Sequence, residues 1–165
     1  EGGVRMPLIA RWPGKIPAGA TSAQFVSLVD MIATFAALTG QSLPADAAED
    51  SFNLLPAFLG TDGSRPIRES IVLKAAAFQL ALRSGRWKFI DRPASASAPA
   101  ANDIAPPGQL YDLEADPAET ADVAAQHPEI ATQLKAQLDA LVRASRTAPV
   151  RDAGDRSTPA DWTQP

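Results

Sequence analysis

Four carboxylates crowd one stretch of this sequence. Asp112, Glu114, Asp116 and Glu119 fall within the ten residues "YDLEADPAET" (111–120). Carboxylates at such spacing suit a hard cation, a general acid/base pair or a turn. A calcium loop places oxygen ligands at fixed intervals around a permissive glycine. This stretch has no such glycine and does not keep that spacing. Asp116-Pro117 is turn chemistry instead, so the stretch is read as a turn and cap following a strand.

The other reactive residues are few. His127 is the single histidine, and there is no cysteine. Thiolate metal sites, disulfides and cysteine nucleophiles are therefore excluded. His127 stands just before Pro128, a residue suited to the first helical position, and is read as a capping or surface residue. Gly2 and Gly3 with Arg5 could approach an anion, but a tight turn and an ion pair explain them equally. Trp12, Trp87 and Trp162 could stack on a sugar; on amphipathic strands tryptophans are more often core. Asp30 on an apolar helix reads as an N-terminal cap rather than a ligand. No catalytic, metal-binding or substrate-binding residue is assigned from these patterns.

The chain has 165 residues, 45% hydrophobic and 21% charged, with a net charge of −4. That length supports one domain-sized core. The negative charge, with scattered Lys and Arg, argues against nucleic acid as partner. No apolar run approaches the ~20 residues of a membrane-spanning helix, so no membrane partner is expected. The chain opens Glu-Gly-Gly-Val without an initiator methionine, and is read as a piece of something longer.

The elements follow from periodicity. "MPLIARW" (6–12), stopped by Pro13-Gly14, predicts a strand buried on both faces, although Pro7 favours an edge. "FVSLVDMIATFAALTGQ" (25–41) predicts a helix with Met31, Phe35 and Leu38 on its buried stripe. Ser27 or Asp30 would cap its start, and Gly40 its end. A short helical turn within 50–63 ends at Gly60, and its Leu54, Leu55, Phe58 and Leu59 need cover. "SIVLKA", "FQLALRSG" and "RWKFID" alternate as three antiparallel strands, with a tight turn at Ser84-Gly85. Phe78, Leu80 and Leu82 share one face; Trp87 and Phe89 share another, opposite Lys88 and Ile90. Residues 92–108 form a Pro/Ala/Ser loop long for a connection inside a domain. "QLYDLE" (109–114) is a further strand. From Pro128 to about Arg143, Ile130, Leu134, Leu138, Leu141 and Val142 repeat at the helical period.

Taken in order, five segments resemble the C-terminal third of the type I sulfatases. They are "EGGVRMPLIARWPGKIPAG", "VSLVDMIATFAALTGQ", "DSFNLLPAFLG", "LALRSGRWKFI" and "QLYDLEADPAETADVAAQHPEI". The resemblance covers about residues 1–143. It implies an α/β fragment, the end of an alkaline-phosphatase-like sheet layer, over 1–66. A small α+β subdomain with a three- or four-stranded antiparallel sheet and a C-terminal helix follows over 67–145, then an irregular tail over 146–165. It also implies a parent enzyme that hydrolyses sulfate esters with formylglycine and Ca2+, in a periplasmic or secreted location. The partner of this chain would be the N-terminal catalytic region of the same protein. Formylglycine arises within a Cys/Ser-x-Pro-x-Arg motif, and Ser64-Arg65-Pro66 lacks that order. No catalytic residue is carried over, and no cofactor is expected in this chain itself. The alternatives are part of a related phosphodiesterase or phosphonate hydrolase, and a non-catalytic α+β interaction module. As a fragment expressed alone, the chain is expected to expose an apolar patch around Leu8, Ile9, Leu54 and Leu55.

Overall fold

The computed structural model describes residues 2–63, 65–74, 79–92 and 107–150. Phe78, most of the 92–108 loop, and the tail beyond 150 with Trp162 lie outside the described residues. The chain divides into two compact units, one of Glu1–Pro7 with Ser70–Ala144, the other of Leu8–Glu69 with Ser145–Pro165.

The first unit is a four-stranded antiparallel sheet under one helix. Strands β1 (Ser70–Lys74), β2 (Leu80–Ser84), β3 (Trp87–Asp91) and β4 (Gly108–Asp112) lie in that order. Each strand pairs with the next, as short connections favour. Ser84 pairs with Trp87, so the hairpin turn is Gly85-Arg86, one residue later than the sequence suggests. Gly85 takes φ 54°, the positive value required at the first central position of a type II′ turn. Alternation puts Leu82, Phe89 and Leu110 on one face, where they are fully buried.

Helix α3 (Pro128–Ala144) covers that face with Ala131, Leu134 and Leu138. Val72, Leu80, Trp87, Ile130 and Leu141 pack around this core. Val142, expected on the same stripe, is exposed; it falls beside Leu138 and Leu141 on the helix but beyond the width of the sheet-facing stripe. At the start of β4 a Cβ on Gly108 would stand 2.2 Å from the Ile90 carbonyl oxygen and 2.8 Å from the Phe89 ring. Only glycine allows the strand to enter the sheet there.

The second unit is built on helix α1 (Met31–Leu38), preceded by a 3-10 turn over Leu28–Asp30, and on the short α2 (Leu55–Leu59). Gly40 (φ 66°) closes α1 as expected. Gly40 N–H donates to the Ala37 carbonyl and Gln41 N–H to the Ala36 carbonyl, the two bonds of a Schellman motif. Gly60 ends α2 in the same way, through Thr61 N–H to Pro56 and its own N–H to Ala57.

The buried stripe of α1 is not the expected one. Ala33, Thr34 and Ala37 are buried, whereas Phe35 is 55% exposed and Met31 and Leu38 are half-buried. The reason is Asp30, which is fully buried with Arg68. Arg68 Nη2 donates to Asp30 Oδ1 at 2.6 Å and to the Asp50 carbonyl at 2.6 Å. Phe52 N–H donates to the same carboxylate at 3.0 Å and Ser27 N–H at 2.8 Å. The Arg68 guanidinium lies 4.3 Å from the Phe52 ring centroid. Thr34 Oγ1 receives Leu54 N–H at 3.0 Å, and Ser51 Oγ receives Ala33 N–H at 2.8 Å. These bonds turn the Asp30–Thr34 side of the helix inward and Phe35 outward.

Residues 5–12 form no strand, contrary to expectation. Leu8 is about half exposed and Ile9 is 90% exposed. Pro7 offers no N–H to a ladder. Of the patch expected around Leu8, Ile9, Leu54 and Leu55, Leu54 is fully buried and Leu55 half-buried. Residues 147–148 are tied down: Thr147 N–H donates to Asp50 Oδ1 and Ala148 N–H to the Glu49 carbonyl.

Two substitutions test these cores by chemical denaturation. Leu138→Ala should destabilise the chain by about 2–5 kcal/mol through lost burial and a residual cavity. Arg68→Ala leaves the Asp30 carboxylate buried without its countercharge and should cost about 3–5 kcal/mol. A loss below ~1 kcal/mol for Arg68→Ala would mean water reaches Asp30 freely.

Candidate functional site

The acidic stretch resolves into separate structural roles. Arg86, from the β2–β3 turn, grips Asp112 with two hydrogen bonds, Nε to Oδ1 at 2.8 Å and Nη2 to Oδ2. Its Nη1 stands 3.3 Å from Glu114. Asp112 Oδ1 also accepts Glu114 N–H at 3.2 Å. The Arg86 hydrogen bond is the main cause holding the Asp112 carboxyl below its ordinary pKa. Asp116 accepts Thr120 N–H at 2.7 Å and Ala121 N–H at 2.8 Å. The Ala121 amide is the largest of several hydrogen bonds that lower its pKa.

Glu119 sits in the left-handed region at φ 56°. It pairs with Lys88 at 2.6 Å on the sheet face away from α3. Burial, the largest single effect, pushes the Glu119 pKa up, but the Lys88 hydrogen bond and nearby positive charge together outweigh it and the net shift is downward. Lys88 is thereby buried on a strand, although its type predicts a solvent-facing position. Asp112 and Glu114 thus share Arg86, Asp116 takes backbone amides and Glu119 takes Lys88, and the four do not gather into a metal-holding group. They do not fit the calcium ion that the resemblance implies for the parent.

His127 caps α3 through its backbone, its carbonyl accepting Ala131 N–H at 3.1 Å. Its ring packs 5.2 Å from the Trp87 ring, and its Nδ1 lies 3.8 Å from Glu129. A ring tilted 58° against Trp87 and bordered by one exposed glutamate fits the capping and surface role read from the sequence. Trp87 itself belongs to the core of the sheet. Arg5 is exposed, Trp12 half-buried, and Asp30 is the buried ion-pair partner of Arg68. The sequence reading missed Arg68. The signal was an arginine next to a strand start, which no local pattern links to a carboxylate 38 positions away.

The end of the sheet opposite the Gly85-Arg86 turn has a different character. Antiparallel order brings the end of β1 at Lys74, the start of β2 at Leu80, the end of β3 at Asp91 and the start of β4 at Gly108 to this end. An open cleft of about 410 Å3 lies at this end, lined by Gln79, Ile90, Asp91, Arg92, Gly108, Gln109 and Asp122. Gln79 Nε2 donates to the Asp91 carbonyl at 3.1 Å. Asp122 Oδ1 accepts Leu110 N–H and Ala124 N–H, which with Val123 N–H to the Leu110 carbonyl covers the outer edge of β4. On the other side of the sheet Lys135 on α3 stands 3.6 Å from Asp91 and 2.5 Å from Asp139.

No family model matches the sequence. Individual proteins do. An N-acetylgalactosamine-6-O-sulfatase of Bacteroides thetaiotaomicron is 42% identical over 148 residues, covering 86% of this chain and 28% of that protein. Human arylsulfatase A is 35% identical over 167 residues, covering 86% of this chain and 32% of its own length. This chain belongs to the sulfatase family. It corresponds to the C-terminal part of these sulfatases and spans about three-tenths of their length. A solved structure from a study of glycosaminoglycan metabolism in B. thetaiotaomicron shares 41% identity and a TM-score of 0.55 over 68% of this chain. A second, bound to D-glucosamine-2-N,6-O-disulfate, is 20% identical with a TM-score of 0.61 and bears on the fold alone. The four-stranded antiparallel sheet with its terminal helix is thus a sulfatase feature in this chain.

The lowered pKa values of Asp112 and Asp116 have a pH consequence. In the unfolded chain both titrate near the ordinary ~3.9. Their folded forms hold the proton less tightly, so their stabilisation is complete at neutral pH. It is lost as pH falls below about 4 and through the lower folded values. Thermal unfolding should show this acid limb, and Asp112→Asn should flatten it while leaving the neutral-pH slope unchanged.

Proposed function

We propose that this chain is the C-terminal portion of a sulfuric ester hydrolase and that it walls the substrate cleft without supplying the reacting groups. The supporting observation is the 42% identity to an amino-sugar 6-O-sulfatase over most of this chain but 28% of that protein. Residues 1–66 then complete the α/β core and residues 67–145 form the appended sheet and helix. Formylglycine and Ca2+ would be held by the N-terminal region of the parent and supply, respectively, the nucleophile and stabilisation of charge on the sulfate oxygens.

The exposed apolar residues support a missing partner region. Leu28, Ile32 and Phe35 follow the i, i+4, i+7 spacing of one helix face and are 78%, 55% and 55% exposed. A face of this kind is covered by other protein in a folded enzyme. The names of the relatives favour sulfate over phosphate esters, and sulfated amino sugars as the substrate class. The loop 92–108 and the segment Lys74–Phe78 are the candidates for reaching the bound substrate.

Two measurements test this reading. The purified chain should leave a chromogenic aryl sulfate intact, and turnover by it would overturn the assignment of the chemistry to the N-terminal region. In the full-length parent, deletion of 94–106 should lower kcat/KM for a sulfated sugar more than for a small aryl sulfate. Equal rates for both would reduce that loop to a spacer.

A further inference from the structure

We propose that the cleft at the loop end of the sheet is a sugar-ring subsite, formed by Gln79 and Gln109 on either side of Ile90. The inference rests on the reading of this chain as part of a sulfatase acting on amino sugars. It names the residues of this chain that would hold the sugar.

The geometry comes from strand register. Gln79 stands just before the start of β2 at Leu80, and its Nε2 reaches the Asp91 carbonyl on β3. Ile90 pairs directly with Gln109. Alternation puts Ile90 and Gln109 on the face opposite Phe89 and Leu110, and Gln79 lines the same cleft. The cleft therefore carries an apolar centre between two carboxamides.

Sugar hydroxyls both donate and accept, and carboxamides are the uncharged side chains that do the same. The amide of Gln79 is oriented by its bond to the Asp91 carbonyl, which leaves its oxygen available as an acceptor. Gln109 is exposed on β4, a strand held on both edges, by β3 on one and by residues 122–124 on the other. Gln109 is thus presented by a paired strand, and the Gln79 amide is held by its own hydrogen bond. The apolar Ile90 between them suits the C–H face of a pyranose. A cleft of about 410 Å3 falls within the range of small-molecule sites. Asp91 and Asp122 have other duties: Asp91 Oδ1 accepts Arg92 N–H, and Asp122 Oδ1 closes the β4 edge. The carboxamides, rather than the acids, are therefore the groups that recognise the ligand.

Titration of the isotopically labelled 165-residue chain with N-acetylgalactosamine, followed by amide NMR, tests this directly. The side-chain NH2 signals of Gln79 and Gln109 and the backbone signals of Ile90 and Gly108 should shift together at millimolar sugar. Gln109→Ala should weaken binding about fivefold, the effect of a neutral hydrogen bond, with signals outside the cleft unchanged. Gln109→Glu, which keeps an acceptor but loses the donors, should weaken it less than alanine does. An open-chain polyol and inorganic sulfate are the comparison probes. Shifts with sulfate but not with the sugar would make the cleft an anion site and overturn the proposal. Equal shifts with the polyol, no shift with the sugar, or binding indifferent to both Gln109 variants would overturn it as well. None of these outcomes bears on aryl sulfate turnover, so failure here leaves the assignment of the chemistry to the N-terminal region standing.

Discussion

A carboxylate sealed from water must be neutralised where it lies, and Asp30 meets that demand through Arg68. A buried, unpaired charge costs several kcal/mol, so every group around the pair is constrained by it. The backbone at Ser27 and Phe52 turns its N–H groups toward the carboxylate. The Asp50 carbonyl takes the remaining reach of the guanidinium, and Phe52 lies against its face. Three stretches far apart in sequence, 27–34, 50–54 and 68, are fixed against one another by one ion pair. The orientation of α1 follows from it, as does the exposure of Phe35.

The sheet unit obeys a simpler constraint. A four-stranded sheet has one apolar face to hide, and α3 hides it with Leu134 and Leu138 against Phe89 and Leu110. The remaining polar contacts manage edges and turns. Arg86 ties the β2–β3 turn to Asp112, Asp116 closes the following turn, and Asp122 with Val123 satisfies the free edge of β4. The acidic stretch that first suggests chemistry is the fastening of this sheet. Its carboxylates are divided among Arg86, Lys88 and local amides, which is why they form no common site.

For function, the division of labour follows from what is fastened and what is not. The turn end of the sheet is held by charged hydrogen bonds. The opposite end carries a cleft lined by two carboxamides, Ile90, Gly108 and charged side chains. The uncovered face of Leu28, Ile32 and Phe35 agrees with a portion meant to be built against more protein.

Much of the local structure was legible in the residues themselves. The helical period of 128–143, the alternation of β2 and β3, and the glycine stops at Gly40 and Gly60 are short-range effects of side-chain spacing and of φ. The family was legible too, because five segments in order carry information that no single one does. Three things were not legible. The apolar run 6–12 has strand composition, yet a strand exists only where a neighbour pairs with it. Phe35 and Leu38 match a helical stripe, yet which stripe is buried was decided by Asp30 and Arg68 across 38 positions. The acids of 112–119 share a short stretch of sequence, yet Arg86, Lys88 and the local amides direct each one differently. Period and turn chemistry act within a few residues and are written in the sequence. Pairing, burial of charge and the direction of a carboxylate depend on groups brought close by the fold, and only the tertiary structure decides them.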